Sequence, residues 1–181
     1  MSSVTEPVVR RATAADLDAI LAIYNDAVLT STASWDDEPV TLENRVAWLD
    51  HHNTGRNATF VAEVDGEVVG FAGYGTFRDK AGYSETVEHS VYLAPEARGR
   101  GLGTILLTRL VEYATDQGLH VMIGGLSADN EASLRLHERL GFVEVARMPE
   151  VGRKFGRWLD LVMVQLTLDG RRAPGEVRPT E

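Results

Sequence analysis

The stretch that most narrows the possible folds is "VYLAPEARGRGLGTILLTRL" (91–110). A strand-like run ended by Pro95 leads into glycines at 99, 101 and 103 beside arginines at 98 and 100, and then into an amphipathic helix. The first amide N–H groups of a helix have no partner within it and carry partial positive charge. Glycines let the backbone of such a loop come close to a ligand. Strand, glycine loop and helix start together make a cradle suited to phosphate or pyrophosphate. The loop has neither the Gly-Lys-Ser/Thr ending of a P-loop nor the strand and acidic residue placed as a dinucleotide fold needs them. A turn with helix-capping glycines is the alternative on this stretch alone. The net charge of −9 argues against nucleic acid as the bound anion.

The surrounding chain supplies the rest of a sheet. "VVRRA" (8–12) predicts a short strand, and Thr13 with Asp16 caps a helix carrying Leu17, Ile20, Leu21 and Tyr24. "TSTASWDDEP" (30–39) is a polar loop with one tryptophan, Trp35, and Thr41 caps a second helix, "LENRVAWLDHH". "TFVAEVDGEVVGFAGYG" (59–75) is a hairpin turning at Asp65-Gly66. In the next strand, alternation puts Thr86, Glu88, Ser90 and Tyr92 on one face and Val87, His89, Val91 and Leu93 on the other. A helix over 104–117, a strand over 119–126 and a helix over 130–140 closed by Gly141 follow. "FVEVARM" and "WLDLVMVQLTL" predict two antiparallel strands. The order β-α-α-β-β-β-α-β-α-β-β predicts an α+β (mixed α/β) fold in one domain over 1–170, with 171–181 as a frayed tail.

Composition bounds the function classes. A chain of 181 residues, 44% hydrophobic and 25% charged, buries an ordinary globular core, and no apolar run suits a membrane span. No secretory signal is expected from the first residues. The absence of cysteine removes disulfides, thiol nucleophiles and thiolate metal sites, and points to the cytoplasm.

Arg98-Gly99-Arg100-Gly101-Leu102-Gly103 resembles the Arg/Gln-x-x-Gly-x-Gly/Ala loop of the GNAT superfamily of N-acetyltransferases. "NEASLRLHERLGF", with Asn130, Gly141 and Phe142, resembles that superfamily's second signature, and the element order agrees over residues 6–168. The resemblance implies a twisted mixed sheet of about seven strands with about four helices. It implies acetyl-CoA as co-substrate, held by Arg98 to Thr104, by Val91, Tyr92 and Leu93 on the preceding strand, and by Asn130 and Ser133. "TVEHSVYLAP" and "VGRKFGRWLDLVMVQL" resemble the phosphinothricin and methionine-sulfoximine N-acetyltransferase branch. That narrower resemblance implies a glutamate-like small amino acid as acceptor, Glu88 as general base, His137 as the acid for the departing thiolate, and a homodimer. It places Arg78, Lys80 and Tyr83 on the acceptor's acidic groups.

Each assignment has a plainer alternative in the residues themselves. Glu88 alone is a solvated strand residue, and His137 alone a helix-surface or interface residue. Asn130, Ser133, Leu134 and His137 fall on one helical stripe and are expected to face the donor. Ser90 shares the face of Glu88, while His89, on the apolar face, reads as a core or interface histidine bordering the acceptor. Trp35 either walls the acceptor pocket or covers the core. Lys154, Arg157 and Trp158 serve either the acceptor or a dimer interface. His51 and His52 have no matching acidic cluster and are not read as metal ligands; no metal is expected.

Overall fold

The computed structural model describes residues 6–171, 173 and 174. Among the described residues seven strands run β1 (Val8–Arg11), β2 (Ala58–Val64), β3 (Glu67–Thr76), β4 (Thr86–Leu93), β5 (Val121–Ser127), β6 (Val143–Lys154) and β7 (Arg157–Thr167). Four α-helices connect them: α1 (Leu17–Thr30), α2 (Leu42–His52), α3 (Leu102–Asp116) and α4 (Glu131–Arg139). The sheet order is β1-β2-β3-β4-β5-β7-β6. Only β4 and β5 pair in parallel; their connection runs through α3, as a parallel crossover requires.

Local chemistry explains most element ends. The Thr13 amide and hydroxyl donate to the Asp16 carboxylate at 2.8 and 3.2 Å, and Arg10 grips the same carboxylate with two bonds. Thr41 Oγ1 accepts from the Asn44 amide at the start of α2. Asp65 and Gly66 both have positive φ, 54° and 84°, as the tight primed turn between β2 and β3 demands. Alternation on these strands feeds two cores. Phe60, Tyr74, Leu106, Leu107, Leu110 and Met122 pack on one side of the sheet. Ile20, Ile23, Leu49, Val61 and Phe71 pack on the other, beneath α1 and α2.

Two expectations change. The strand expected to end at Met148 continues through Pro149 to Lys154, with a register shift between Met148 and Gly152. An edge strand tolerates proline and a bulge because one row of its backbone groups faces outward. Of the expected tail, Arg171 is held by Asp169 and Glu85; residues 172 and 175–181 lie outside the described residues. No helix among the described residues is long and apolar enough to cross a membrane.

Candidate active site

β4 and β5 pair only from Thr86 with Val121 to His89 with Gly124. Beyond that point β4 stays on β3 through Leu93, and β5 stays on β7 through Ser127. The two middle strands therefore part, and the β5-facing edge of residues 90–93 has no strand partner among the described residues. The fork leads to the glycine loop. Gly99 and Gly101 have φ of 73° and 80°, and a Cβ at either would meet nothing within 4 Å. Gly101 is the N-cap of α3, so the free amides of the first turn open onto clear space. Gly103 has a different use: it lies inside α3, where a Cβ would stand 3.2 Å from Leu136 Cδ2 of α4. Leu102 is buried and Thr104 half-buried. Arg98 pairs with Asp26 of α1 at 3.1 Å and reaches the Leu93 carbonyl, tying the loop to the body; Arg100 is exposed.

On the α1–α2 side of the fork lies a cleft of about 310 Å³ lined by His51, His52, Gly75, Thr76, Glu88, His89, Ser90, Tyr92 and Gly125. Glu88, an exposed residue of β4, lines it directly opposite Gly75 on β3. The cleft walls desolvate its carboxyl and hold its pKa above the ordinary carboxylate value, while the Arg78 guanidinium works in the other direction. A carboxylate so placed is a better proton acceptor than a free one. Arg78, Lys80 and Tyr83 line a neighbouring cavity of about 390 Å³ that shares Thr76 with the cleft. They therefore border the Glu88 cleft instead of lining it, and of the three Arg78 acts on Glu88 through its charge.

A third cavity, about 350 Å³, meets the Glu88 cleft at Tyr92 and Gly125 and is walled by Tyr24, Trp35, Asp36 and Leu161. Its irregular loop is held by the β6–β7 hairpin. The Trp35 ring lies against Gly152, where a Cβ would come within 2.1 Å of a ring carbon. Buried Lys154 donates from Nζ to the Ser31 carbonyl at 2.9 Å and to that of Ser34. Arg157 pairs with Asp129, which also accepts from Thr32 and Ser127. Lys154 and Arg157 thus brace the wall carrying Trp35, whereas Trp158 is 63% exposed.

The stripe on α4 is turned inward. Asn130 spends its side-chain oxygen capping the Ser133 amide at 3.2 Å, and Leu134 packs into the core. His137 is 2% exposed. Its Nδ1 lies 2.7 Å from the Ser133 carbonyl and 3.5 Å from the Ser133 hydroxyl, and its Nε2 lies 2.9 Å from Nε2 of His89. His89 Nδ1 in turn sits 2.8 Å from the Ile123 carbonyl. Both rings pack against Phe142, so His89 ties β4 to α4, and it also lines the Glu88 cleft beside Ser90. Burial lowers the pKa of both imidazoles, His89 to about 3. Both nitrogens of His137 are already engaged.

Sequence reasoning gives His51 and His52 no role in the site, places Tyr24 only on the apolar stripe of α1, and does not single out the pair Gly124-Gly125. A Cβ at Gly124 would strike His89 Cε1 at 2.7 Å, and one at Gly125 would touch the Glu88 carboxyl at 3.5 Å. Two adjacent glycines inside an apolar strand were the available signal, since glycine there marks close approach.

Residues 20–142 match the Acetyltransferase (GNAT) family. The chain is 51% identical over 166 residues to an L-methionine sulfoximine/L-methionine sulfone acetyltransferase of Pseudomonas aeruginosa, covering 91% of this chain and 96% of that one. It is 36% identical over 171 residues to a phosphinothricin N-acetyltransferase of Streptomyces coelicolor, covering 93% and 100%. A solved acetyltransferase from Salmonella typhimurium with its cofactor acetyl-CoA superposes with a TM-score of 0.90 at 46% identity, covering 94% of this chain and 99% of that one. With the split β4–β5 pair and the glycine loop at its mouth, these matches place the chain in the GNAT family of acetyltransferases.

Proposed function

We propose that the chain transfers the acetyl group of acetyl-CoA to the amino group of a small amino acid with a tetrahedral, polar side-chain end, methionine sulfoximine and methionine sulfone first and phosphinothricin second. The observation that carries this is the meeting of two half-sites at one fork. The open N-terminus of α3 suits the donor's pyrophosphate, and the Glu88 cleft across β4 suits an amine. Similarity to the methionine sulfoximine and methionine sulfone enzyme at 51% identity, against 36% to the phosphinothricin enzyme, orders the acceptors.

An α-amine arrives mostly protonated at neutral pH and must lose a proton to attack. Glu88, through a water, takes that proton. The amine forms the N–C bond, the C–S bond breaks with its electron pair on sulfur, and the thiolate takes a proton from solvent or from the Glu88 carboxyl. Backbone N–H on the unpaired edge of residues 91–93 meets the oxyanion. Arg78, with Lys80 and Tyr83 beyond it, draws the acceptor's anionic groups toward the rim. His137 serves indirectly, by seating α4 against β4. The matching test is thiol release from acetyl-CoA over a panel of methionine sulfone, methionine sulfoximine, phosphinothricin, an aminoglycoside and a lysine peptide. The first two should give the highest kcat/KM; a preference for the aminoglycoside or the peptide would overturn the acceptor class.

The same reading takes the enzyme as a cytoplasmic homodimer. β6 is the edge of the sheet and exposes Val143, Val145, Met148 and Val151, an apolar row suited to a second copy. Sedimentation at micromolar concentration should return twice the chain mass, and replacing Val145 by lysine should halve it.

A further inference from the structure

α2 ends on two histidines that overhang the acceptor cleft. His52 is half-buried, its ring stacked on Trp48 at 4.2 Å and 23°. Its Nδ1 lies 2.8 Å from the Trp48 carbonyl, which only accepts, so Nδ1 carries the proton and Nε2 of the neutral ring keeps its lone pair. Nε2 is aimed at Gly75. A Cβ there would stand 3.0 Å from it, and 3.5 Å from His51 Nε2. Because Gly75 has no side chain, that lone pair looks into the cleft that Glu88 lines from the directly opposite position on β4. Cross-strand partners of this kind have Cβ positions about 5 Å apart, so the two acceptors flank one small space.

An attacking amine has a geometric requirement. Its lone pair faces the acyl carbon only if its N–H bonds are held elsewhere, and one carboxylate holds one of them. We propose that His52 is a second catalytic acceptor: Nε2 takes one N–H of the acceptor's amine while Glu88, through a water, takes the proton that leaves. The inference rests on the assignment of Glu88 as base. His52 accepts a hydrogen bond and gains no proton in the step, so the proton balance stays with Glu88.

The surroundings keep His52 in that role. Burial is the main influence against a second proton; the Trp48 carbonyl works the other way, and His51 and Arg45, both on α2, add to the burial. The ring is held down to a pKa of about 4 and stays neutral wherever the enzyme meets its substrate. A neutral acceptor does not repel the incoming ammonium, as an imidazolium would.

His52→Phe keeps a ring to stack on Trp48 and deletes the lone pair. His52→Gln returns an amide oxygen on a side chain of similar reach. Gly75→Ala leaves His52 intact and obstructs Nε2 from the strand side. Steady-state kinetics with methionine sulfone should show kcat/KM for the acceptor reduced about 10- to 100-fold in His52→Phe and Gly75→Ala, within the range of a lost positioned hydrogen bond. KM for acetyl-CoA should be unchanged, and His52→Gln should recover a large part of the loss. A His52→Phe enzyme equal to wild type, or a His52→Gln enzyme no better than His52→Phe, overturns the inference. Glu88→Gln assayed beside them separates the two claims, since full activity there overturns the assignment of Glu88 instead.

Discussion

Replacing Glu88 by glutamine should lower kcat by about 10²- to 10⁴-fold while KM for acetyl-CoA stays within about twofold, the span expected for loss of a positioned base. The substitution preserves shape and removes only the ability to take a proton. The donor loop at Gly99 and Gly101 lies at the other end of β4, which is why donor binding should be spared. The pH profile carries a second signature. Glu88 works as the carboxylate, so kcat in the wild type should fall as pH drops through its pKa. Desolvation places that acid limb above the ordinary carboxylate range, and the Arg78 charge restrains it. Arg78→Met removes the restraint, so the limb should move to higher pH in that variant and vanish in Glu88→Gln. Full turnover of Glu88→Gln near neutral pH would remove it as the base.

Features written in consecutive residues are legible in the sequence itself. Asp65-Gly66 announces its turn because only certain residues take two successive positive φ values, and the 99–103 loop announces an anion site because strand, glycines and helix start adjoin in the chain. The face carrying Glu88, Ser90 and Tyr92 follows from a period of two. Register across strands is not legible. That Gly75 lies opposite Glu88, and that His52 comes down on Gly75, depends on how β3 pairs with β4 and how α2 crosses them. A histidine pair at a helix end looks the same in sequence whether it faces water or a cleft. The setting of His137 is hidden for a related reason. Its stripe is correctly periodic, but periodicity does not say which way a helix is rolled, and α4 turns that stripe onto His89 and Phe142. Pro149 hides the long β6 because a proline argues against a strand except at a sheet edge, and the sequence does not say which strand is the edge.

The donor loop permits a sharper experiment, because α3 carries its own control. Gly101 at its N-terminus and Gly118 just past its C-terminus have nearly the same φ, 80° and 75°, and a Cβ at either meets nothing within 4 Å. Glutamate at each should therefore cost a similar left-handed strain, about 1–2 kcal/mol, lowering Tm by roughly 2–8 °C in a chain of this size. Their effects on the donor should part completely. At 101 the new side chain and its negative charge occupy the space in front of the free α3 amides, where like-charge repulsion against a pyrophosphate costs several kcal/mol. KM for acetyl-CoA should rise about 100-fold or more in Gly101→Glu, with kcat at saturation largely kept. In Gly118→Glu it should match wild type, because that end of α3 meets the turn into β5 and the Arg171 side chain, away from the fork. Equal KM values in the two variants would mean that the loop at 99–103 is a capping turn after all, and that the donor's phosphates are held somewhere else.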